Sequence, residues 1–257
     1  MSDRSATPER MFWFERKGDD FPYYRGRPVG IATGGWVLVL AGVALGFAVL
    51  LLGPRMVDGG AWRYLLAFLF WAIPLAALAL VAGRHWTALF RPVRGVDVLL
   101  MIGFAVLNLL VTLVTGALIT SLTDATANSA MSDAGALEAG QALHFFALTG
   151  IQLIGEEVTS ILPFLALLWW FTARGGMGRK SAIMLAVLIV AVIFAIEHGA
   201  TYDWKIVQLL LGVAIARIVL ILPYIITRNL WVSAGAHILN DWIFFGLSML
   251  TATAAAT

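Results

Sequence analysis

Glu156 and Glu157 stand side by side within Ala142–Phe171, a stretch otherwise apolar enough to cross a membrane. A carboxylate at mid-bilayer is costly and is found where it meets a partner or water. Two later apolar stretches each carry a histidine, in Phe194-Ala-Ile-Glu197-His198 and in His237-Ile-Leu-Asn240-Asp241, and Arg217 lies between them. A carboxylate and two imidazoles in a low-dielectric cavity can activate water. One Glu would take the proton, a His would position the water, and the other His with an amide would bind the developing oxyanion. The same trio, Glu156, His198 and His237, could instead hold a divalent metal, since two His and one carboxylate is a catalytic zinc set. The residues leave these two chemistries open.

Helical spacing sorts the candidates further. Residues four apart share a helix face, so His237 and Asp241 point the same way, with Asn240 on the adjacent edge. An Asp one turn from a His can orient the imidazole, fix its tautomer or share a ligand with it. Gln152 and Ser160 flank Glu156 by one turn each and place it on a polar stripe, whereas Glu157 points about 100° away. The two carboxylates are therefore expected to do different jobs. Structural readings stand beside these: a Glu paired with Arg217 or Arg174, an interhelical link through His237 and Asp241, and Arg217 as a counter-charge. His85 and His144 fall at span boundaries and receive no role.

The elements that must position these groups are membrane helices. The chain has 257 residues, 61% hydrophobic and 12% charged, with a mean hydropathy of +0.90. No soluble domain of this size could hide so much apolar surface. The net charge of +2 does not suggest nucleic acid, and the absence of cysteine excludes disulfides and thiol catalysis. Met1–Pro28 is polar, without the apolar core of a cleavable signal. Seven apolar segments are expected, over Val29–Leu52, Ala61–Ala82, Val96–Leu122, Gln141–Phe171, Ser181–Gly199, Trp204–Thr227 and Leu230–Thr251. An eighth, re-entrant or split segment would change the side of the C-terminus. Helix is forced, because backbone amides in lipid must be satisfied within the segment. The fold class is thus all-α and polytopic. The fourth segment is too long for a straight crossing and should tilt, kink at Pro163 or start outside the bilayer.

Thirteen of the seventeen Lys and Arg fall on the side of the N-terminus, three on the other, and Arg217 lies within a span. This bias predicts a cytoplasmic N-terminus and a C-terminus outside. The tail, with Met11-Phe-Trp-Phe14 and Phe21-Pro-Tyr-Tyr24, reads as an interfacial aromatic anchor or a solvated leader. Thr123–Gly140, small and acidic, reads as a flexible extracytoplasmic loop, and Tyr202-Asp203 as a loop pair.

The three motifs together resemble those of the CAAX prenyl protease and bacteriocin-processing (CPBP, or Abi) family of intramembrane proteases. That family carries Glu-Glu-x-x-x-Arg, Phe-x-x-x-His and His-x-x-x-Asn/Asp on separate membrane helices. Here they read Glu156-Glu157-Val-Thr-Ser-Ile161, Phe194-Ala-Ile-Glu-His198 and His237-Ile-Leu-Asn-Asp241. The resemblance covers about Leu143–Gly246 and implies water activation by Glu156 with His198, and an oxyanion or ligand role for His237 and Asp241. Ile161 stands where the family has Arg, so that guanidinium is missing, and Arg217 is the candidate to replace it if its task is structural. Asp241 stands where Asn is common. An ionised carboxylate repels an oxyanion, so Asp241 suits that role only when protonated, or with Asn240 as the donor. Depth raises one inconsistency. Glu156 and His198 each lie about 27 Å along their helices from the basic anchors Arg174 and Lys180, but His237 only about 13 Å from Arg228.

The chain divides into four regions: a cytoplasmic or interfacial tail (1–28), N-terminal membrane helices (29–141), a protease-like core (142–246) and a C-terminal end (247–257). The expected function is an intramembrane endopeptidase, of the glutamate type or a metalloendopeptidase, engaged in CAAX-type or bacterial peptide processing. Its only candidate cofactor is a divalent metal, zinc. Its partners would be the lipid bilayer and a peptide or membrane-protein substrate, prenylated or not, in a bacterial plasma membrane. The alternative is a non-catalytic immunity or scaffold protein of the same family, which Ile161 favours. A proton-coupled transporter could also use buried Glu and His, but no inverted repeat or paired broken helices are visible.

Overall fold

The computed structural model describes residues 10, 15–16, 20–57, 59–137 and 139–255. Among them there are helices and no strands. The helices run in the order α1 (Thr33–Leu52), α2 (Gly60–Ala82), α3 (Gly95–Leu122), α4 (Ser129–Gly135), α5 (Ala139–Ala173) and α6 (Arg179–Glu197). The short α7 (Ile206–Gln208) passes through a π-helical turn, Leu209–Ala214, into α8 (Ile215–Thr227), and α9 (Leu230–Ala255) completes the chain. Six stretches are long and apolar enough to cross a membrane, and these match the first six expected segments. The seventh is also a long helix, α9 with 26 residues, whose apolar character is diluted by His237, Asn240 and Asp241.

The α5 helix is the axis of the molecule. Its most apolar window is 72% buried, against 11% for α3, so α5 faces protein where α3 faces mostly lipid. It continues through Pro163 for 35 residues. That is about 52 Å of helix against about 30 Å of hydrocarbon, an excess that tilt or a start outside the bilayer accommodates. Just before the paired glutamates, Gly155 lets α2 approach closely: a Cβ there would stand 2.2 Å from the Phe70 ring. Gly46 does the same on α1, where a Cβ would meet the Phe70 carbonyl oxygen at 2.4 Å. Phe70, 1% exposed, thus packs at two glycine notches that bring α1, α2 and α5 together.

Two expectations change. Part of the tail packs into the protein in place of lying in solvent, while residues 25–28 are exposed. Glu15, Phe21, Tyr23 and Tyr24 are buried, and Phe21 packs edge-on against Phe164 of α5 at 5.3 Å. Burial is stabilised because Glu15 meets two guanidinium groups, Arg179 and Arg228, and the Tyr23 hydroxyl donates to the His85 carbonyl at 2.7 Å. Met11–Phe14 lies outside the described residues. The expected loop Thr123–Gly140 contains α4 and is pinned at Thr126, Asn128 and Met131. The Gln208 side chain accepts from the Thr126 amide (2.9 Å) and donates to the Thr126 carbonyl (2.8 Å). The Asn128 amide donates to the Tyr202 hydroxyl at 3.1 Å, and the Ser248 hydroxyl donates to the Met131 carbonyl at 2.6 Å. Asn128 also caps α4 through the Ala130 amide.

Candidate active site

Consecutive positions on α5 give the two glutamates different surroundings. Glu157 is fully buried, and its Oε1 accepts from Arg217 Nη1 at 2.6 Å and from His237 Nδ1 at 2.9 Å. Glu156 is partly accessible, receives a bond from Gln152 Nε2 one turn earlier (3.2 Å), and lines a cavity of about 810 Å³. The expected polar stripe is therefore present between Gln152 and Glu156. Ser160 is buried.

Arg217 reaches Glu157 from α8, just after the π-turn. A π-turn adds a residue to the helical repeat and rotates the helix beyond it, a device frequent at functional sites. The side chain has no accessible surface, and its guanidinium carbon stands 5.2 Å from the centroid of the Phe194 ring. Phe194 in turn lies 4.4 Å from the His198 ring. His198 is the residue that caps α6, and its Nδ1 is 2.8 Å from the Phe194 carbonyl oxygen. With Nδ1–H donating to that oxygen, Nε2 is the nitrogen left for a guest. Phe194 thus contributes both a ring and a carbonyl to holding the site.

The α9 groups follow the expected spacing. His237 Nε2 is 3.9 Å from Glu156 Oε2 and 3.8 Å from Asp241 Oδ1, too long for direct hydrogen bonds and suited to bridging through water. Asn240 does not stand free as an oxyanion donor: its Nδ2 donates to Asp241 Oδ1 at 2.8 Å. Its own oxygen accepts from Nδ2 of Asn108 on α3, at 3.1 Å. Asn108 was not singled out by sequence. The available signal was a lone Asn in the apolar Val96–Leu122, which has no motif around it. Gln208 and Tyr202 were likewise missed as groups that fix the cavity wall.

The structure brings Glu156, His198, His237, Asn240, Asp241 and Arg217 to one cavity, with Glu157 buried behind it. Arg217 and Glu157 form the ion pair foreseen as a structural reading, and Arg174 instead contacts Thr33. Ile161 is fully buried in the apolar core one turn from Glu157, so the guanidinium beside that carboxylate comes from α8 instead of from α5. The depth inconsistency has a cause. Arg228 is 1% exposed and ion-paired with Glu15, so it lies inside the protein and does not mark the lipid interface. As for a metal, among the described residues no three His, Cys, Asp or Glu side chains are grouped to hold one. The Nδ1 atoms of His198 and His237 are both committed to protein oxygens.

Residues 138–243 match the family model described as Rce1-like, type II CAAX prenyl endopeptidase. The match bears out the CPBP resemblance, a protease family, from α5 into the middle of α9 and leaves α1–α4 outside it. No curated protein and no solved structure matches the chain significantly.

Proposed function

We propose that this protein is an intramembrane endopeptidase that hydrolyses a peptide bond with water activated by Glu156. The observation carrying this reading is the division of labour between adjacent glutamates. Glu157 is consumed by Arg217 and by His237 Nδ1, which leaves Glu156 at the cavity wall, facing His237 Nε2 across 3.9 Å. A carboxylate that holds a histidine by Nδ1 sets its tautomer and aim, as in other hydrolytic sites built from a His and a carboxylate.

In the proposed step a water lies between Glu156 and the substrate carbonyl, accepted by His198 Nε2 through its second hydrogen. Glu156 takes one proton as the water oxygen bonds to the carbonyl carbon. His237, protonated on both ring nitrogens among Glu156, Glu157 and Asp241, donates from Nε2 to the oxyanion. Collapse breaks the C–N bond, and the proton held by Glu156 passes to the leaving nitrogen, giving a carboxylic acid and an amine. Asp241, held by Asn240, polarises His237 and stays off the oxyanion, which suits a carboxylate where an amide would otherwise serve. Among the described residues no three side chains are grouped as metal ligands, and the step is written with the residues alone.

Ile161 supports a second reading, a non-catalytic family member acting as an immunity or scaffold protein. Peptide-library cleavage by detergent-purified protein separates the two. On the hydrolase reading Glu156→Gln lowers cleavage by about 100-fold or more, the scale of a lost general base, with thermal stability near wild type. A folded wild type without cleavage of prenylated or unprenylated peptides would support the scaffold.

A further inference from the structure

The cavity that holds Glu156, His198 and His237 is open toward one set of connections and closed toward the other. Its outer wall includes Arg63 in the first turn of α2, Asn128 and Ser129 at the start of α4, and Thr201 and Tyr202 after α6. Among the described residues, none from the opposite connections (83–94, 174–178 and 228–229) lines it. Two layers close that opposite end. Val158, Ile161, Leu162 and Leu165, all fully buried, fill α5 beyond Glu157. Below them the N-terminal segment crosses the helix ends. Glu15 joins Arg179 to Arg228, and the Arg16 amide donates to the Ile226 carbonyl at 3.0 Å. Phe21 has both guanidinium groups within 5.0 and 5.1 Å of its ring centroid.

The closed end is also the basic end. The tail, Arg84–Arg94, Arg174–Lys180 and Arg228 hold thirteen of the seventeen Lys and Arg, and the connections around the opening hold three. Such an excess marks the cytoplasmic side. Depth agrees with this. Eighteen residues of helix separate Glu156 from the exposed Arg174. At about 27 Å, within about 30 Å of hydrocarbon, this sets the carboxylate toward the far boundary.

We propose that the cavity receives its guest from the non-cytoplasmic face, so that the substrate class is a polypeptide segment exposed on that face and not a cytoplasmic C-terminus. What happens to the guest rests on the hydrolase reading above; the side of entry rests on the cavity and the charge distribution alone. The chain contains no cysteine, so an introduced one reports without background. Full-length Thr115→Cys (cavity wall), Ser129→Cys (mouth) and Thr87→Cys (basic end) are placed in sealed right-side-out and inverted vesicles. Each is treated with a small charged methanethiosulfonate that does not cross the bilayer. The expected result is modification of the Thr115 and Ser129 variants at least tenfold faster in right-side-out vesicles, and of the Thr87 variant at least tenfold faster in inverted ones. Reaction of the Thr115 variant mainly in inverted vesicles, or from neither side, overturns the proposal. Cleavage of peptide added outside is then compared in the two vesicle types for wild type and Glu156→Gln. Glu156-dependent cleavage only in inverted vesicles also overturns the side of entry. Correct labelling with no cleavage in vesicles or detergent leaves the side of entry standing and removes the hydrolase reading.

Discussion

At the scale of single residues, the centre of the site is a carboxylate no guest can touch. Glu157 binds Arg217 and His237 through one oxygen, and neither the carboxylate nor the guanidinium has accessible surface. Removing one partner of a buried pair leaves an uncompensated charge at about 3–5 kcal/mol. Arg217→Met should therefore destabilise the detergent-solubilised protein by about that amount, read as a lowered thermal unfolding temperature, and should lower cleavage with it. Ile161 lies one turn beyond Glu157 on the same helix face, so Ile161→Arg added to Arg217→Met should restore part of both. A double variant no more stable than the single one would show that position 161 cannot supply the guanidinium. The pair Glu156-Glu157 and the i, i+4 pair His237 and Asp241 were legible because helical spacing depends on sequence alone. Which partner each took was not, because Arg217 is 60 residues from Glu157 along the chain.

At the scale of elements, the glutamates are positioned by how closely α2 packs on α5. An added methyl at Gly155 would stand 2.2 Å from the Phe70 ring, in a core where the ring is 1% exposed. Gly155→Ala should cost about 1–3 kcal/mol by overpacking and shift the start of the Glu156-Glu157 turn. Thermal unfolding reads the first effect and the rate of peptide cleavage the second. A variant unchanged in both would mean that Phe70 moves freely aside. The helices themselves were readable from apolar length to within a few residues, since an apolar run of about 20 residues in lipid satisfies its own backbone only as a helix. The π-turn at Leu209–Ala214 was not, because its repeat carries no composition of its own, and nor was α4, whose helix depends on pins from Gln208, Tyr202 and Ser248.

At the scale of the whole molecule, the N-terminal segment acts as a strap over the basic ends of α6, α8 and α9. Glu15 pairs with two buried arginines at once, so Glu15→Ala takes a counter-charge from Arg228, while Arg179 keeps Asp20 at 3.1 Å. This should destabilise the protein by about 3–5 kcal/mol. It should also raise amide exchange around Ile226 and Arg228 before the region of Glu156 responds. Exchange rising equally throughout would mean that the strap does not form a separable layer. An acidic residue in a polar leader gives no sign of this role; it becomes visible only when the α8–α9 turn and the start of α6 are placed beside it.

The amino-acid sequence by itself determined the medium, the helical class, the approximate spans and the three short motifs. Each of these comes from local rules: apolar length against bilayer thickness, and face-sharing at three and four residues. Tertiary structure alone decided that Glu157 is held while Glu156 is presented, that Arg217 stands where Ile161 cannot, that Asn108 and Asn240 steady Asp241, and that the cavity closes at its basic end. The reason is that a buried charge or amide must find a partner in low dielectric, and that partner is set by which helices meet, not by which residues are neighbours in the chain.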